Sequence, residues 1–356
     1  MNRMNFDEKY MLRCLELANN GFGNVAPNPM VGCVIVYERK IIGEGYHQEY
    51  GKAHAEVNAI HSVKDKTLLK KSTLYVNLEP CAHFGKTPPC ANLIIEYHIP
   101  RVVIGCVDSF SEVSGKGIEK LKTAGIEVVV GVLEKESLEL NKRFFTFHNK
   151  KRPYIILKWA ETKDGYIDVE RINEIAGQTN NEVDNWITSP LSKQLVHKWR
   201  SEEAAIMVGT NTALNDNPQL NVREWNGRNP VRVVVDLHDR LPQNLHVFDK
   251  SIPTLVFSLT KQEQENNLTF VKINDSKNLI QEVLNELYKR NIQSIIIEGG
   301  ATLLQSFIDQ NLWDEARVFV GNNYFKKGLN APVLNGNLVA KQIIDSDDLM
   351  FYKQIK

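Results

Sequence analysis

Two α/β domains are predicted for this chain, on three observations. At 356 residues it is too long for one ordinary hydrophobic core. Segments of helical period alternate with short β-branched runs through both halves, which is the pattern of layered α/β domains. Between the halves, His148-Asn149-Lys150-Lys151-Arg152-Pro153 is polar, basic and closed by proline. That break sets the expected boundaries at 1–150 and 151–356.

The elements follow in order. Phe6 to Asn20 reads as a helix, with Phe6, Tyr10, Cys14, Leu17 and Ala18 on one face and Asn20-Gly21 as its stop. Val25 to Met30 is a loop holding Pro27 and Pro29. Val31 to Tyr37 and Ile41 to Tyr46 form a hairpin about Glu38-Arg39-Lys40. Ala53 to Val63 is a helix, Thr73 to Leu78 a strand, Cys90 to Tyr97 a helix and Val102 to Val107 a strand. Gly117 to Thr123 is a helix, Val128 to Val132 a strand and Glu134 to Phe145 a helix. In the second half, strands are expected at Tyr154–Trp159, Ala204–Val208, Val231–Asp236, Thr254–Leu259, Ser294–Glu298 and Ala316–Val320. Helices are expected at Ser189–Arg200, with Ser189 as N-cap and Pro190 in the first turn, and at Leu279–Lys289. Lys261 to Asn267 is polar and reads as a loop.

Bulk properties exclude several classes. Lys plus Arg and Asp plus Glu both number 43, so there is no net charge to draw nucleic acid or an anionic membrane. No apolar run has the length of a membrane span, and charged residues interrupt the first twenty positions. Five cysteines without framework spacing argue against a disulfide scaffold. Cys14, Cys33 and Cys106 fall in helix or strand patterns and read as core.

The chemistry is concentrated in His54-Ala55-Glu56, Pro80-Cys81 and Cys90. One imidazole and two thiolates hold zinc with a fourth position left for water, the arrangement of a catalytic site. Zinc is therefore the expected metal, with His54, Cys81 and Cys90 as ligands. Glu56, two residues after His54, is the expected proton shuttle and catalytic residue. Cys81 and Cys90 must stay reduced to bind it, which suits the cytoplasm. Alone, a His-x-Glu pair is usually solvated and a Pro-Cys is usually a buried small apolar pair. The combination, placed at a strand end and two helix starts, carries the assignment. Helix N-terminal amides there favour a thiolate. The pattern H-x-E…P-C-x-x-C is that of zinc deaminases. Here Cys81 and Cys90 lie nine positions apart instead. His83 is a substrate contact or a structural residue, and a tight bend would be needed for it to share a metal with Cys81.

Signals in the second half are weaker. Ser294 to Glu298 is a buried strand followed by Gly299-Gly300 and a helix. That arrangement admits a phosphate to backbone amides, or is simply a tight turn. It is not the G-x-G-x-x-G of a dinucleotide-binding Rossmann unit. Asn211 to Arg223 is turn-rich and leaves the carboxyl end of a strand, where α/β sites sit. Asp216 has the chemistry for a sugar hydroxyl and Arg223 for a phosphate, or both are solvated loop charges.

Residues 24–36, His54-Ala55-Glu56 and the run Pro80-Cys81-Ala82-His83-Phe84-Gly85-Lys86-Thr87-Pro88-Pro89-Cys90 resemble the bifunctional deaminase–reductase family of riboflavin biosynthesis. The long segment between the cysteines separates that family from the cytidine and nucleic-acid deaminases. In the second half, Leu157-Lys158-Trp159-Ala160, Asp164-Gly165, residues 186–189, 208–212 and 216–223, and Glu298-Gly299-Gly300 resemble the reductase half. The resemblance implies a cytidine-deaminase-like layered α/β domain followed by a dihydrofolate-reductase-like α/β domain. It implies zinc-dependent deamination of a phosphoribosylamino-diaminopyrimidinone, then NADPH-dependent reduction of the ribosyl group to ribityl. Asn28 would hold the ring, as its amide offers both a donor and an acceptor. Ala160, Trp186, Thr212, Asp216 and Gly300, Ala301, Thr302, Leu303, Leu304, Gln305 and Ser306 would line the nicotinamide cofactor. Lys158, Asp184, Arg200, Leu220, Arg223 and Glu298 would meet substrate, with Arg200 and Arg223 on its phosphate. Lys158 is open between a catalytic role and a ribose contact.

Departures are visible. Thr162-Lys163-Asp164-Gly165 stands where the family reads Ser-Leu-Asp-Gly, the segment from Tyr166 to Asn185 is longer, and Asp184 replaces a serine. Four readings follow: the bifunctional enzyme, a deaminase whose second domain has lost reduction, a nucleic-acid deaminase, and a structural zinc protein. The balanced charge and lack of a basic aromatic patch disfavour the third. The fourth requires another protein ligand, and His83 is the one to test. The expected partner is a small molecule, without nucleic acid or membrane, and two α/β domains of this size point to a homo-oligomer.

Overall fold

In the computed structural model, residues 5–82, 88–108, 115–170 and 186–355 are described. The chain divides into two compact units, Met1–Arg152 and Pro153–Lys356. Expectations on His83 and Asp184 lie outside the described residues.

The first unit runs α1 (Phe6–Asn19), β1 (Gly32–Tyr37), β2 (Lys40–Tyr46), α2 (Ala55–Ser62), β3 (Thr73–Leu78), α3 (Cys90–Glu96), β4 (Arg101–Cys106), α4 (Lys116–Thr123), β5 (Glu127–Val130), α5 (Glu134–Leu140) and α6 (Lys142–Lys150). The sheet order is β2-β1-β3-β4-β5. β1 is antiparallel to β2 and β3, while β3, β4 and β5 are parallel. β1 is buried on both faces, as its unbroken apolar run requires. Cys33 and Ile35 pack toward α2 and α3, whereas Val34 and Val36 pack toward Tyr10, Met11, Cys14 and Leu17 of α1. α1 starts with a capping box, Asn5 and Glu8 each accepting from the other's backbone N–H. Cys14, Cys33 and Cys106 lie in the core, as their patterns predict.

Two buried asparagines fix the loop before β1. Asn141 accepts from Met30 N at 2.8 Å and donates to Met30 O at 2.9 Å. Asn77, on β3, donates to Met30 O at 3.1 Å and accepts from Gly32 N at 2.8 Å. The single helix expected over Glu134–Phe145 is interrupted at Asn141, which lies between α5 and α6. Its side chain serves the neighbouring loop.

The second unit runs β6 (Tyr154–Glu161), β7 (Tyr166–Val169), α7 (Pro190–Glu202), β8 (Ala205–Gly209), α8 (Thr210–Asp216), β9 (Val231–Val235), β10 (Thr254–Ser258), β11 (Glu263–Glu265), β12 (Leu268–Lys272), α9 (Leu279–Lys289), β13 (Ser294–Gly299), α10 (Ala301–Asp309), β14 (Glu315–Val320), β15 (Gly328–Asn330), β16 (Gly336–Ile344) and β17 (Asp347–Gln354). A ten-stranded sheet has the order β11-β12-β10-β9-β8-β13-β6-β14-β17-β16, and β7 pairs with β15 separately. From β12 to β14 the strands are parallel, so their carboxyl ends share one edge. α9 and α10 cover one face through Val283, Leu284, Leu287, Leu304 and Phe307. On the other face Val196 and Trp199 of α7 pack against Ile156 and Ile296. The turn-rich stretch at 210–216 is helical, and the polar loop expected at Lys261–Asn267 contains β11. β16 was not evident from sequence because it is largely exposed, with no buried face to impose alternation.

Candidate functional site

The first candidate centre lies at the carboxyl ends of β3 and β4. β3 ends at Leu78, and the following Glu79 is buried. Its carboxylate accepts from the backbone amides of Asp108, Gly115, Gly117 and Ile118, at 2.9 to 3.2 Å. That anchor fixes where Pro80 and Cys81 emerge. Gly117 abuts the same turn, since a Cβ there would lie 2.0 Å from Pro80 O. Cys90 opens α3, and its backbone N–H donates to Cys81 Sγ at 3.3 Å. His54 is the N-cap of α2, with its side chain free of any capping role. Its Nδ1 lies 3.3 Å from Cys90 Sγ and 3.6 Å from Cys81 Sγ. All three donor atoms fall within 4.8 Å of one another.

This donor set fits zinc: two thiols and an imidazole converge, and among the described residues no fourth ligand joins them. The electrostatics agree. The Cys90 thiol and His54 hold Cys81 below the ordinary thiol value. Cys90 is raised by its contact with Cys81 and by burial. Glu56, in the first turn of α2, is buried. Burial, reinforced by Cys81, pushes its carboxyl to about 7, where it can both accept and release a proton near neutrality.

His47 joins this centre without having been evident from sequence. Its Nδ1 lies 3.0 Å from Ala53 O, so that nitrogen carries the proton. Burial lowers its pKa and keeps the ring neutral. Nε2 is then an acceptor, and it meets Asn28 Nδ2 at 3.1 Å. This contact orients the Asn28 amide. No local motif marks His47, because it simply follows β2.

The second candidate centre is a cleft of about 860 Å³ along the carboxyl edge of the large sheet. Lys158, Arg200, Leu220, Arg223 and Glu298 line it, as do Ala160, Trp186, Thr212 and Asp216. Gly300, Ala301, Thr302, Leu303, Leu304 and Ser306 line it too. Gln305 does not: its amide donates to Asp309 and accepts from Val333 N. Gly299 has φ +127°, a backbone glycine alone tolerates comfortably, and Gly300 passes close to Thr212 Oγ1.

Arg200 and Glu298 form a two-pronged pair at 2.9 and 2.7 Å, their side chains only 12% and 9% exposed. Burial opposes the charge on Glu298, but Arg200 and Lys158 outweigh it and hold the carboxyl at about 2. Burial lowers Lys158 in turn, against the pull of Glu298. Arg200 also donates to Asn221 O at 3.3 Å. Lys193 and His197 are cleft residues that sequence reading missed. With Arg200 they occupy one stripe of α7, a helical spacing that would have revealed them. Burial, with Arg200 and Arg223 nearby, drops His197 to about 4, and its Nδ1 accepts from Arg223 N at 3.3 Å.

Comparison with known proteins gives a consistent result. Residues 4–106 match the family model of the cytidine and deoxycytidylate deaminase zinc-binding region. Residues 153–322 match that of the RibD C-terminal domain. The chain is 41% identical to the riboflavin biosynthesis protein RibD of Aquifex aeolicus over 330 residues, 91% of this chain and 89% of that protein. It is 37% identical to RibD of Bacillus amyloliquefaciens, covering 98% of this chain and 91% of the relative. A Thermotoga maritima diaminohydroxyphosphoribosylaminopyrimidine deaminase/5-amino-6-(5-phosphoribosylamino)uracil reductase superposes with a TM-score of 0.87 at 38% identity, covering 98% and 99% of the two chains. Acinetobacter baumannii RibD superposes with a TM-score of 0.86 at 32% identity, covering 99% of each.

Proposed function

The chain belongs to the RibD family of riboflavin-biosynthesis deaminase–reductases, and from that membership we propose which of its residues carry the two reactions. It is a bifunctional enzyme of two α/β domains, a cytidine-deaminase zinc-binding domain and a dihydrofolate-reductase-like domain. It deaminates 2,5-diamino-6-(5-phosphoribosylamino)pyrimidin-4-one and reduces the ribosyl group of the product to ribityl. We assign deamination to residues 1–150 and reduction to 151–356.

In the deaminase half, His54, Cys81 and Cys90 hold zinc, which when bound supplies a Lewis acid with one position left open for water. Glu56 takes a proton from the attacking water and delivers it to the leaving amine. A carboxyl at about 7 can do both. Asn28, its amide set by His47, presents Oδ1 to the ring, and His83 is assigned a contact with substrate. The observation that carries this reading is the convergence of His54, Cys81 and Cys90 beside buried Glu56.

In the reductase half, NADPH supplies the hydride. Ala160, Trp186, Thr212, Asp216 and the turn from Gly300 to Ser306 are assigned to the cofactor. Among these, Gln305 is supported least, since its side chain is engaged away from the cleft. Asp184, Arg200, Leu220, Arg223 and Glu298 are assigned to substrate. Arg200 is already committed to Glu298, so Arg223 is the freer of the two arginines for the phosphate. Lys158 lies beside Glu298 and Arg200 and is assigned a polar contact to the sugar.

Among the described residues no helix is long and apolar enough to cross a membrane. We infer a cytoplasmic enzyme, since Cys81 and Cys90 bind metal only when reduced. We also infer a homo-oligomer, supported by exposed Leu338, Val339 and Ile343 on the edge strand β16.

The test is a two-channel assay on the purified protein, with the diaminopyrimidinone substrate and NADPH supplied together. Wild type is expected to release ammonia and oxidise NADPH. Glu56→Ala is expected to lose ammonia release by about 10²- to 10⁴-fold while keeping zinc and still reducing the deaminated compound. Undiminished ammonia release in Glu56→Ala would refute the assignment of the shuttle.

A further inference from the structure

The reductase cleft also contains Arg240, which has no part in the substrate and cofactor contacts proposed for it. Along the sheet the order is β6, β13, β8, β9. Lys158 lies on β6, Glu298 on β13, Thr212 in the helix after β8, and Arg240 in the turn after β9. All four line the same cleft. The hydride must reach the sugar near Lys158 and Glu298, so the nicotinamide belongs at that end. A dinucleotide held at that end and extended past Gly299-Gly300 and the start of α10 toward β9 would bring its adenosine half to Arg240.

Arg240 is held there by a built turn. Buried Asp236 accepts from Arg240 N through Oδ1 and from Leu241 N through Oδ2, both at 3.0 Å. Buried Leu241 anchors the turn from below. Thr210 Oγ1 donates to Val235 O at 2.6 Å, tying the start of α8 to the end of β9. Asn211 Oδ1 then accepts from one guanidinium nitrogen of Arg240 at 3.4 Å.

Charge pairing sets Arg240 apart from the other cleft cations. Arg200 is matched by Glu298, Lys193 by Glu224 at 2.7 Å, and Arg223 lies 3.9 Å from Glu224. Lys158 faces Glu298. Adjacent Asp239 is taken by Lys261, Ser258 and Thr260. Among the described residues Arg240 has no carboxylate partner, and its side chain is exposed. An unpaired guanidinium at the adenosine end of a dinucleotide cleft is suited to a dianionic phosphate, which it can grip with two parallel N–H donors.

We propose that Arg240, steadied by Asn211, binds the 2′-phosphate of NADPH and makes the reductase prefer it to NADH. This inference rests on the reductase reading of the second domain. The test measures binding of NADP⁺, NAD⁺ and 2′,5′-ADP to the full-length zinc-loaded protein by calorimetry, for wild type and Arg240→Ala. Wild type should bind NADP⁺ more tightly than NAD⁺. Arg240→Ala should weaken NADP⁺ and 2′,5′-ADP by about ten- to hundred-fold and leave NAD⁺ unchanged. Equal weakening of NADP⁺ and NAD⁺, or unaltered NADP⁺ affinity in the variant, would overturn the assignment while leaving the reductase reading intact. A wild type that binds neither dinucleotide would overturn both.

Discussion

Replacing Glu298 with glutamine removes a charge from the least exposed ion pair of the reductase cleft while keeping its shape. Wild-type Glu298 is held at about 2 against an ordinary 4.5, because Arg200 and Lys158 outweigh the cost of burial. That difference is worth about 3 kcal/mol at neutral pH. The sign follows from the direction. A depressed carboxyl contributes fully above pH 4.5 and loses its contribution as pH falls toward 2, when the folded state must also take up the proton. The variant has no such group, so its deficit against wild type is largest at pH 7. By pH 3 the deficit should shrink by about 2 kcal/mol. For a unit of this size, each kcal/mol moves the midpoint by about 2–4 °C. Calorimetry at the two pH values should therefore show the melting deficit of the second unit narrowing by about 4–8 °C. An identical deficit at pH 7 and pH 3 would mean that the Arg200–Glu298 pair does not hold its charge in the folded state.

Two further outcomes concern the zinc half. Gly117→Ala places a Cβ against Pro80 O, so the turn bearing Cys81 must move. Zinc should be lost to a competing chelator at lower concentration than in wild type, and stability should fall by about 1–3 kcal/mol, although Gly117 touches no ligand. His47→Ala frees the Asn28 amide to rotate. It should lower kcat/KM for deamination by about ten- to hundred-fold with zinc content unchanged, as read by metal analysis beside the ammonia assay.

The two centres differed in how far the sequence exposed them, and the reason is locality. His54, Glu56, Cys81 and Cys90 are chemically distinctive residue types at element ends, and each motif is short enough to read in one window. The reductase cleft is assembled from the ends of several strands by common residues, so Lys158 or Arg223 carries little signal until the parallel sheet brings them together. Lys193 and His197 were missed although Arg200, on the same helical stripe, was singled out. Arg240 sits in a short polar turn whose importance depends on β9 lying beside β8. The Asn- and Thr-rich run at 210–216 looks like a turn by composition, but it continues directly from β8 as α8, with Ala213 buried. Asn141 shows the converse: a residue that reads as a helical position instead ends one helix because its amide is needed elsewhere.

That amide, with its counterpart on Asn77, has a consequence for the resting enzyme. Met30 and Gly32 are tied to two side chains of the folded core, and the ties involve neither zinc nor substrate. The segment carrying Asn28 is therefore held in shape by the fold itself. With Asn28 as the proposed contact to the ring, little backbone freedom would remain to be surrendered in this segment on binding. Backbone amide exchange at Met30 and Gly32 should accordingly be as slow in the free protein as in the complex.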